Sequence, residues 1–341
     1  MSALDVASSF SWKWWLKDLS VSDKPVKVFS TFSCGGGSSM GYKRAGFEVI
    51  GNVEIDKGMN AMYVKNLNPK YNFNMDLRDF NQLSELPEEL YHLDILDGSP
   101  PCTTFSTEGK REKTWGVNKK FREGQKVQRL DDLFFVFLDT VKKLQPKIVI
   151  AENVIGLLGG KAKGYVHEII QGFQSANYSV QIFKLNAASM EVPQVRNRVF
   201  FVANNQGYPK LELNFNYPPI YFGKVRSKHG LEGTNSLYDR LVMEAKESDK
   251  DFSKLTKSGS GFTDFIVADN DICPCNTTKI KYRLFDRKRF SIEDYINTQT
   301  FPQDYDFCGN KAEYVTGMSV PPNMMAHIAK EIWRQWLNGK K

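Results

Sequence analysis

The sequence predicts an α/β fold built on a parallel sheet and followed by a second, loop-rich domain. Three observations carry this. β-rich and helix-periodic segments alternate up to about Asn205, the alternation then stops, and a glycine-rich run, CGGGSSMG (34–41), interrupts the first strand-to-helix passage.

The elements follow in order. VKVFSTF (26–32) reads as a strand, SSMGYKRAG (38–46) as the start of a helix, and EVIGNVEI (48–55) as the next strand; a third precedes Asp76 in NFNMDL (72–77), and HLDILDG (92–98) is a buried fourth. Between 130 and 145, Leu130, Leu133, Phe134, Phe137, Leu138, Val141 and Leu144 repeat at helical spacing. Asp131 and Asp132 open that helix, Lys142 and Lys143 close it and Pro146 follows, so its charges suit the helix dipole and its aromatic stripe is core. KIVIAENV (147–154), a helix over 164–176, and the strands YSVQIFKLNA (178–187) and VFFVANN (199–205) complete the series. From 206 to 278, Tyr-Pro-Pro, Gly-Thr-Asn and Ser-Gly-Ser-Gly interrupt any regular period. A last helix spans 322–337, and the aromatic cluster FSWKWWL (10–16) is expected to pack in a core rather than stack on bases.

Composition sets bounds. In 341 residues, 41% apolar, 46 Lys and Arg face 39 Asp and Glu; the net charge of +7 suits a polyanionic partner without demanding one. Five scattered cysteines point to thiols in a reducing compartment, and neither a secretory leader nor an apolar run of ~20 residues is found, so a cytoplasmic protein without a membrane span is expected. Cys273-Pro-Cys275 is too small a ligand set for zinc, and no metal is expected.

The glycine run lets backbone approach a ligand, and a nucleotide-like cofactor fits there, although a purely structural turn is an equal alternative. It matches neither the phosphate-loop pattern nor GxGxxG, which disfavours ATP and NAD. Glu54, ahead of Asp56, is the first choice to accept ribose hydroxyls, Asp76 is placed to reach an adenine amino group, and Asp97 ends the fourth strand; for each, a solvated strand-end carboxylate is the alternative. Cys102 follows two prolines at the carboxyl end of a buried strand, where parallel sheets collect ligands, and alone would read as an inert thiol. Glu152 reaches the same edge from the neighbouring strand, with Asn153 placed to fix the local turn. In QVRNR (194–198), Arg196 and Arg198 would face one way from an extended segment, suiting a carbonyl oxygen or phosphate; a surface strand is the alternative.

Taken in order, FSCGGGSSMGY, VEID, DGSPPCTTFS, AENV, QVRNR, FSIEDYINTQTFP and GMSVPP resemble the signature blocks of the cytosine-5 DNA methyltransferase family. The resemblance implies a Rossmann-like class I methyltransferase domain over 1–205 plus 310–341, and a smaller loop-rich target-recognition domain over 206–309 that binds DNA. It implies S-adenosyl-L-methionine as cofactor, held by Phe32, Ser33, Gly35, Gly36, Gly37, Glu54, Ile55, Asp76, Leu77, Pro100 and Ser319. Cys102 would attack the base, Glu152 would contact its N3 edge, and Arg198, beside Arg196, its O2, with the target cytosine flipped out of double-stranded DNA. The segment 107–129, with Lys110, Arg111, Lys113, Lys119, Lys120, Arg122, Lys126 and Arg129 against Glu108, Glu112 and Glu123, is expected to close over DNA. A monomer in a bacterial or phage-host cytosol, paired functionally with a restriction endonuclease, is the implied setting. Three positions depart from the pattern: Cys34 replaces a glycine of the cofactor turn, Thr103 a glutamine, and Met318 an asparagine that braces the catalytic region. A transfer RNA cytosine-5 methyltransferase and a catalytically silent DNA-binding homologue are the competing readings.

Overall fold

The computed structural model describes residues 9–20, 22–101, 132–159, 162–228, 230–231, 237–246, 248–256, 264–278, 282–286 and 288–339. Cys102, Thr103 and the 107–129 segment lie outside the described residues.

The chain divides into two compact units, one comprising Ser20–Leu185, Asn197–Asn214 and Ile328–Lys341, the other Met1–Leu19, Asn186–Arg196 and Phe215–His327. In the first unit the expected alternation is present: β1 (Lys27–Thr31), α1 (Gly37–Arg44), β2 (Glu48–Val53), α2 (Lys57–Leu67), β3 (Tyr71–Phe73), α3 (Leu77–Gln82), β4 (Ile95–Gly98), α4 (Leu133–Leu144), β5 (Ile148–Val154), α5 (Lys163–Ser175), β6 (Ser179–Asn186) and β7 (Asn197–Asn204). The seven strands lie in the order β3-β2-β1-β4-β5-β7-β6. β1 to β5 pair in parallel, as the alternation predicts, and β7 runs antiparallel to β5. The 187–196 connection holds only the 3-10 turn Ala187–Ser189 and no crossover helix, which a parallel return requires.

The amphipathic stripe of α4 explains how the sheet is covered. Phe134, Phe137, Leu138, Val141 and Leu144 are buried with Phe29 and Val149 of the sheet and Phe80 of α3, and Phe134 meets Phe201 of β7 edge-on at 5.3 Å. Each such ring contributes about 1.5–3 kcal/mol by burial. Lys143 spans to α3 and donates to the carbonyls of Asn81 (2.9 Å) and Leu83 (2.6 Å), so it caps a neighbouring helix end.

The second unit contains α6 (Phe222–Val225), α7 (Leu237–Leu241), the two-stranded sheet of β8 (Phe265–Val267) and β9 (Tyr282–Leu284), α8 (Ile292–Gln299) and α9 (Ala312–Met318). α10 (Pro322–Ile332) continues as a π-turn, Trp333–Leu337, and the boundary between the units falls after His327 within it. Several of these elements are only three to five residues long, too short for a period to register, so the 206–278 region reads as irregular in sequence although its described residues include α6, α7 and β8. Phe222 stacks on Phe290 (4.9 Å) and Tyr282 on Phe290 (4.7 Å). Ser291 and Asp294 form a capping box on α8, and Asp294 also accepts from Ser227 N (2.7 Å). The N-terminal aromatic cluster packs as expected. Trp14 is buried, its Nε1 donates to Thr300 O at 2.9 Å, and Trp12 packs against the Phe222–Tyr295 cluster.

Candidate active site

The glycine turn leaves β1 through Phe32 (φ 51°), Cys34 (φ 44°) and Gly36 (φ 77°), all left-handed. That conformation favours glycine, which explains the usual residue at position 34 and gives Cys34 a cost of roughly 1 kcal/mol. Glu54, just past β2, ties the turn down: its Oε2 accepts from Cys34 N (2.8 Å) and its Oε1 from Asp56 N (2.9 Å). Burial pushes the Glu54 carboxyl up to about 7 in spite of these bonds. Asp56 is committed elsewhere, capping α2 through Gly58 N (2.8 Å) and Met59 N (3.0 Å). Asp76 caps α3 through Arg78 N (2.8 Å) and pairs with the Arg78 guanidinium at 3.2 Å.

Other predicted residues surround the same turn. Ser33 Oγ accepts from Asn52 Nδ2 (3.1 Å), Ile55 O accepts from Asn74 Nδ2 (3.4 Å), Phe32 packs on the sheet core, Leu77 opens α3 buried, and Gly37 opens α1. A Cβ on Gly36 would sit 2.5 Å from Leu67 Cδ1 and 3.1 Å from the Tyr63 ring. Gly36→Ala is therefore expected to lower stability by about 1–3 kcal/mol through left-handed strain and overpacking. Urea unfolding checks this, and a change under about 0.5 kcal/mol would contradict it.

From β4 the chain passes Gly98 and Ser99 to Pro100 and Pro101, directly ahead of Cys102. β5 lies parallel beside β4, and Asn153 at its end donates Nδ2 to Pro100 O (3.1 Å, buried) while its Oδ1 accepts from Val154 N (2.9 Å). Asn153 thus fixes the segment that leads to the cysteine. Next to it, Glu152 Oε1 meets Arg198 Nε at 2.8 Å, their side chains only 11% and 14% exposed. Antiparallel β5/β7 pairing produces this contact by setting Val154 opposite Arg198. Asn153→Ala leaves a buried carbonyl unpaired, a cost of about 1–3 kcal/mol. Urea unfolding of the variant measures that loss, and a change under about 0.5 kcal/mol would count against the anchoring role.

Arg196 and Arg198 take different partners. Arg196 precedes β7 and is 2% exposed, its Nη1 donating to Asn276 O and its Nη2 to Gly317 O, both at 3.1 Å. Gln299 Nε2 donates to Ser319 O (2.6 Å), Gln194 Nε2 to Gln299 Oε1 (2.8 Å), and Asn276 N to Gln194 Oε1 (3.1 Å). The carbonyls on either side of Met318 are therefore held by Arg196 and Gln299, a brace that needs no amide side chain at position 318. Gly317 lies against backbone, where a Cβ would be 2.6 Å from the Thr277 carbonyl carbon. Gln194 and Gln299 sit inside two of the signature blocks, yet spacing alone did not single them out.

Ser319, 3% exposed, has an Oγ with no hydrogen-bond partner among the described residues. The described residues hold no group of three or more His, Cys, Asp or Glu that could bind a metal ion, and no helix among them is long and apolar enough to cross a membrane.

The profile of the C-5 cytosine-specific DNA methylase family matches residues 26–258 and, in an overlapping second segment, 222–334. The chain belongs to this family. Relatives within it include the Type II methyltransferase M.FnuDI of Fusobacterium nucleatum, 36% identical over 57% of this chain and 51% of its own length. Another is the Type II methyltransferase M1.HphI of Haemophilus parahaemolyticus, 25% identical over 90% of this chain and 86% of its own. The chain spans about half the length of the first of these relatives. The fold is that of a putative DNA modification methyltransferase encoded within an E. coli prophage, with a TM-score of 0.67 at 19% identity over 91% of this chain and 99% of that one. It is likewise that of the Spodoptera frugiperda DNMT2, with a TM-score of 0.63 at 16% identity over 90% and 99%.

Proposed function

We propose that the protein is a DNA (cytosine-5)-methyltransferase that flips a cytosine from double-stranded DNA and methylates its carbon 5. The observation that carries this reading is the end of β5. Asn153 holds Pro100, two residues ahead of Cys102, and the adjacent Glu152 is oriented by Arg198.

Carbon 5 of cytosine is too weak a nucleophile to attack a sulfonium methyl. Addition of the Cys102 thiolate to carbon 6, with a proton given to N3 by Glu152, makes an enamine whose carbon 5 is nucleophilic. Arg198 orients Glu152 and contacts O2, while Arg196 acts through the backbone it holds. Return of the N3 proton to Glu152, loss of the carbon 5 proton to solvent and departure of the Cys102 sulfur as thiolate restore the ring.

S-adenosylmethionine supplies the electrophilic methyl group when bound. The residues fit it. Gly35 to Gly37 carry no side chain to obstruct a ligand, and the buried Glu54 carboxyl has remaining acceptor capacity for ribose hydroxyls; Ser319 is assigned by its family block. Ile55, Asp76, Leu77 and Pro100 are assigned with them on the strength of the family blocks. The chemistry of this route needs no metal. Residues 206–309 are the proposed sequence reader, the protein acts as a monomer in a bacterial or phage-host cytosol, and a restriction endonuclease is its proposed functional counterpart.

Transfer of labelled methyl to mixed-sequence duplex DNA and, separately, to transfer RNA tests the reading. Cysteine-dependent label at carbon 5 in DNA supports it, label in RNA alone moves the substrate to transfer RNA, and label in neither supports the silent homologue.

A further inference from the structure

Asp97, on β4, is 2% exposed and takes no part in the reaction outlined above. Its Oδ2 accepts from Ser30 Oγ on β1 (3.0 Å), its Oδ1 from Tyr42 OH on α1 (3.1 Å), and Ser38 in the first turn of α1 is a third hydroxyl donor. Ser30 and Ser38 lie on either side of the 32–37 turn, so this carboxyl is tied to both flanks of the segment that carries the proposed cofactor turn. The ionisable groups that act on it are Tyr42 from α1, Tyr63 from α2 and Glu152 from β5, with no cation paired to it among the described residues.

A buried carboxylate without a cation is expensive. Burial first, then the Glu152 charge, pushes the Asp97 carboxyl up to about 7, against the hydroxyl bonds that favour ionisation. A protein that needed only a hydrogen-bond acceptor here would do as well with an amide, which has no charge to desolvate. The buried negative charge calls for a positive one that arrives with a ligand, and under the function proposed above the cofactor brings a sulfonium that becomes a neutral thioether once the methyl has left.

We propose that Asp97 is the counter-charge to the cofactor's sulfonium and makes the site prefer the methylated cofactor over its neutral product. This rests on the S-adenosylmethionine reading. Asp97 acts through its field, so it is a specificity-determining residue rather than a catalytic one. At the effective dielectric of a protein site, one such interaction is worth about a tenfold difference in affinity.

The test is calorimetric binding of S-adenosylmethionine and S-adenosylhomocysteine to the full chain at pH 8 and pH 6. At pH 8, D97N should lower affinity for the sulfonium form about tenfold and change affinity for the thioether less than about twofold. The wild-type preference should shrink at pH 6, where Asp97 takes up a proton, and should be nearly flat in D97N. Glu54 titrates in the same range, and D97N separates the two because only the Asp97 share disappears. Y42F removes one of the hydroxyl bonds that favour ionisation, so the loss of preference should move to higher pH, with the wild-type ratio regained by pH 9; it also serves if D97N does not fold, since a Y42F ratio of one at pH 9 would overturn the proposal. Equal losses for both ligands in D97N, or no loss, would also overturn it. Wild-type protein that binds neither ligand refutes the cofactor reading itself, whereas binding of both with a ratio indifferent to Asp97 refutes this inference alone.

Discussion

Replacing Cys102 by alanine should lower methyl transfer to DNA by at least about ten-thousandfold while S-adenosylhomocysteine binding survives. The size follows from the route. Without addition at carbon 6, carbon 5 has no enamine electrons to offer. Serine should be almost as poor, because its hydroxyl ionises far above the ~8.5 of a thiol and is a weaker nucleophile. Rapid-quench measurement on duplex DNA with labelled cofactor is the check. Residual transfer above about one per cent of wild type would rule out Cys102 as the nucleophile.

Glu152→Gln should lower turnover about a hundred- to ten-thousandfold, the range for loss of a positioned proton donor, with DNA affinity changed by less than about threefold. A second effect must be separated from this. Glu152 also balances Arg198, whose side chain is 14% exposed, and a buried cation left against a neutral amide is destabilising. Glu152→Gln combined with Arg198→Met removes the guanidinium as well and should recover much of the lost thermal stability without recovering turnover. Recovery of both together would show that Glu152 is structural; recovery of stability alone, with Arg198→Met by itself costing turnover less than Glu152→Gln does, would assign the loss to the Glu152 proton.

Much of the first unit was legible because its segments are long and periodic. The stripe Leu133 to Leu144 has one amphipathic solution, and the strands that end at Thr31, Val53, Gly98 and Val154 are apolar runs between turn residues. The second unit was not legible in that way. β8 and β9 have three residues each, and their aromatic side chains are buried against partners far along the chain, which no local window detects.

The sequence by itself determined the order of chemistry-bearing blocks and hence the family, the glycine turn with Glu54 beside it, and the strand that delivers Glu152. These depend on local composition and spacing, which a linear chain carries explicitly. Only the tertiary structure decided that β7 turns antiparallel and so brings Arg198 to Glu152, while Arg196 is taken up by Asn276 and Gly317. It also decided that Gln299 and Arg196 brace the turn around Met318, and that Asp97 is a buried carboxyl bound by three hydroxyls rather than a solvated strand end. Strand direction, hydrogen-bond partner and desolvation are properties of residues distant in sequence and adjacent in space. They arise only when burial forces each polar group to find a partner.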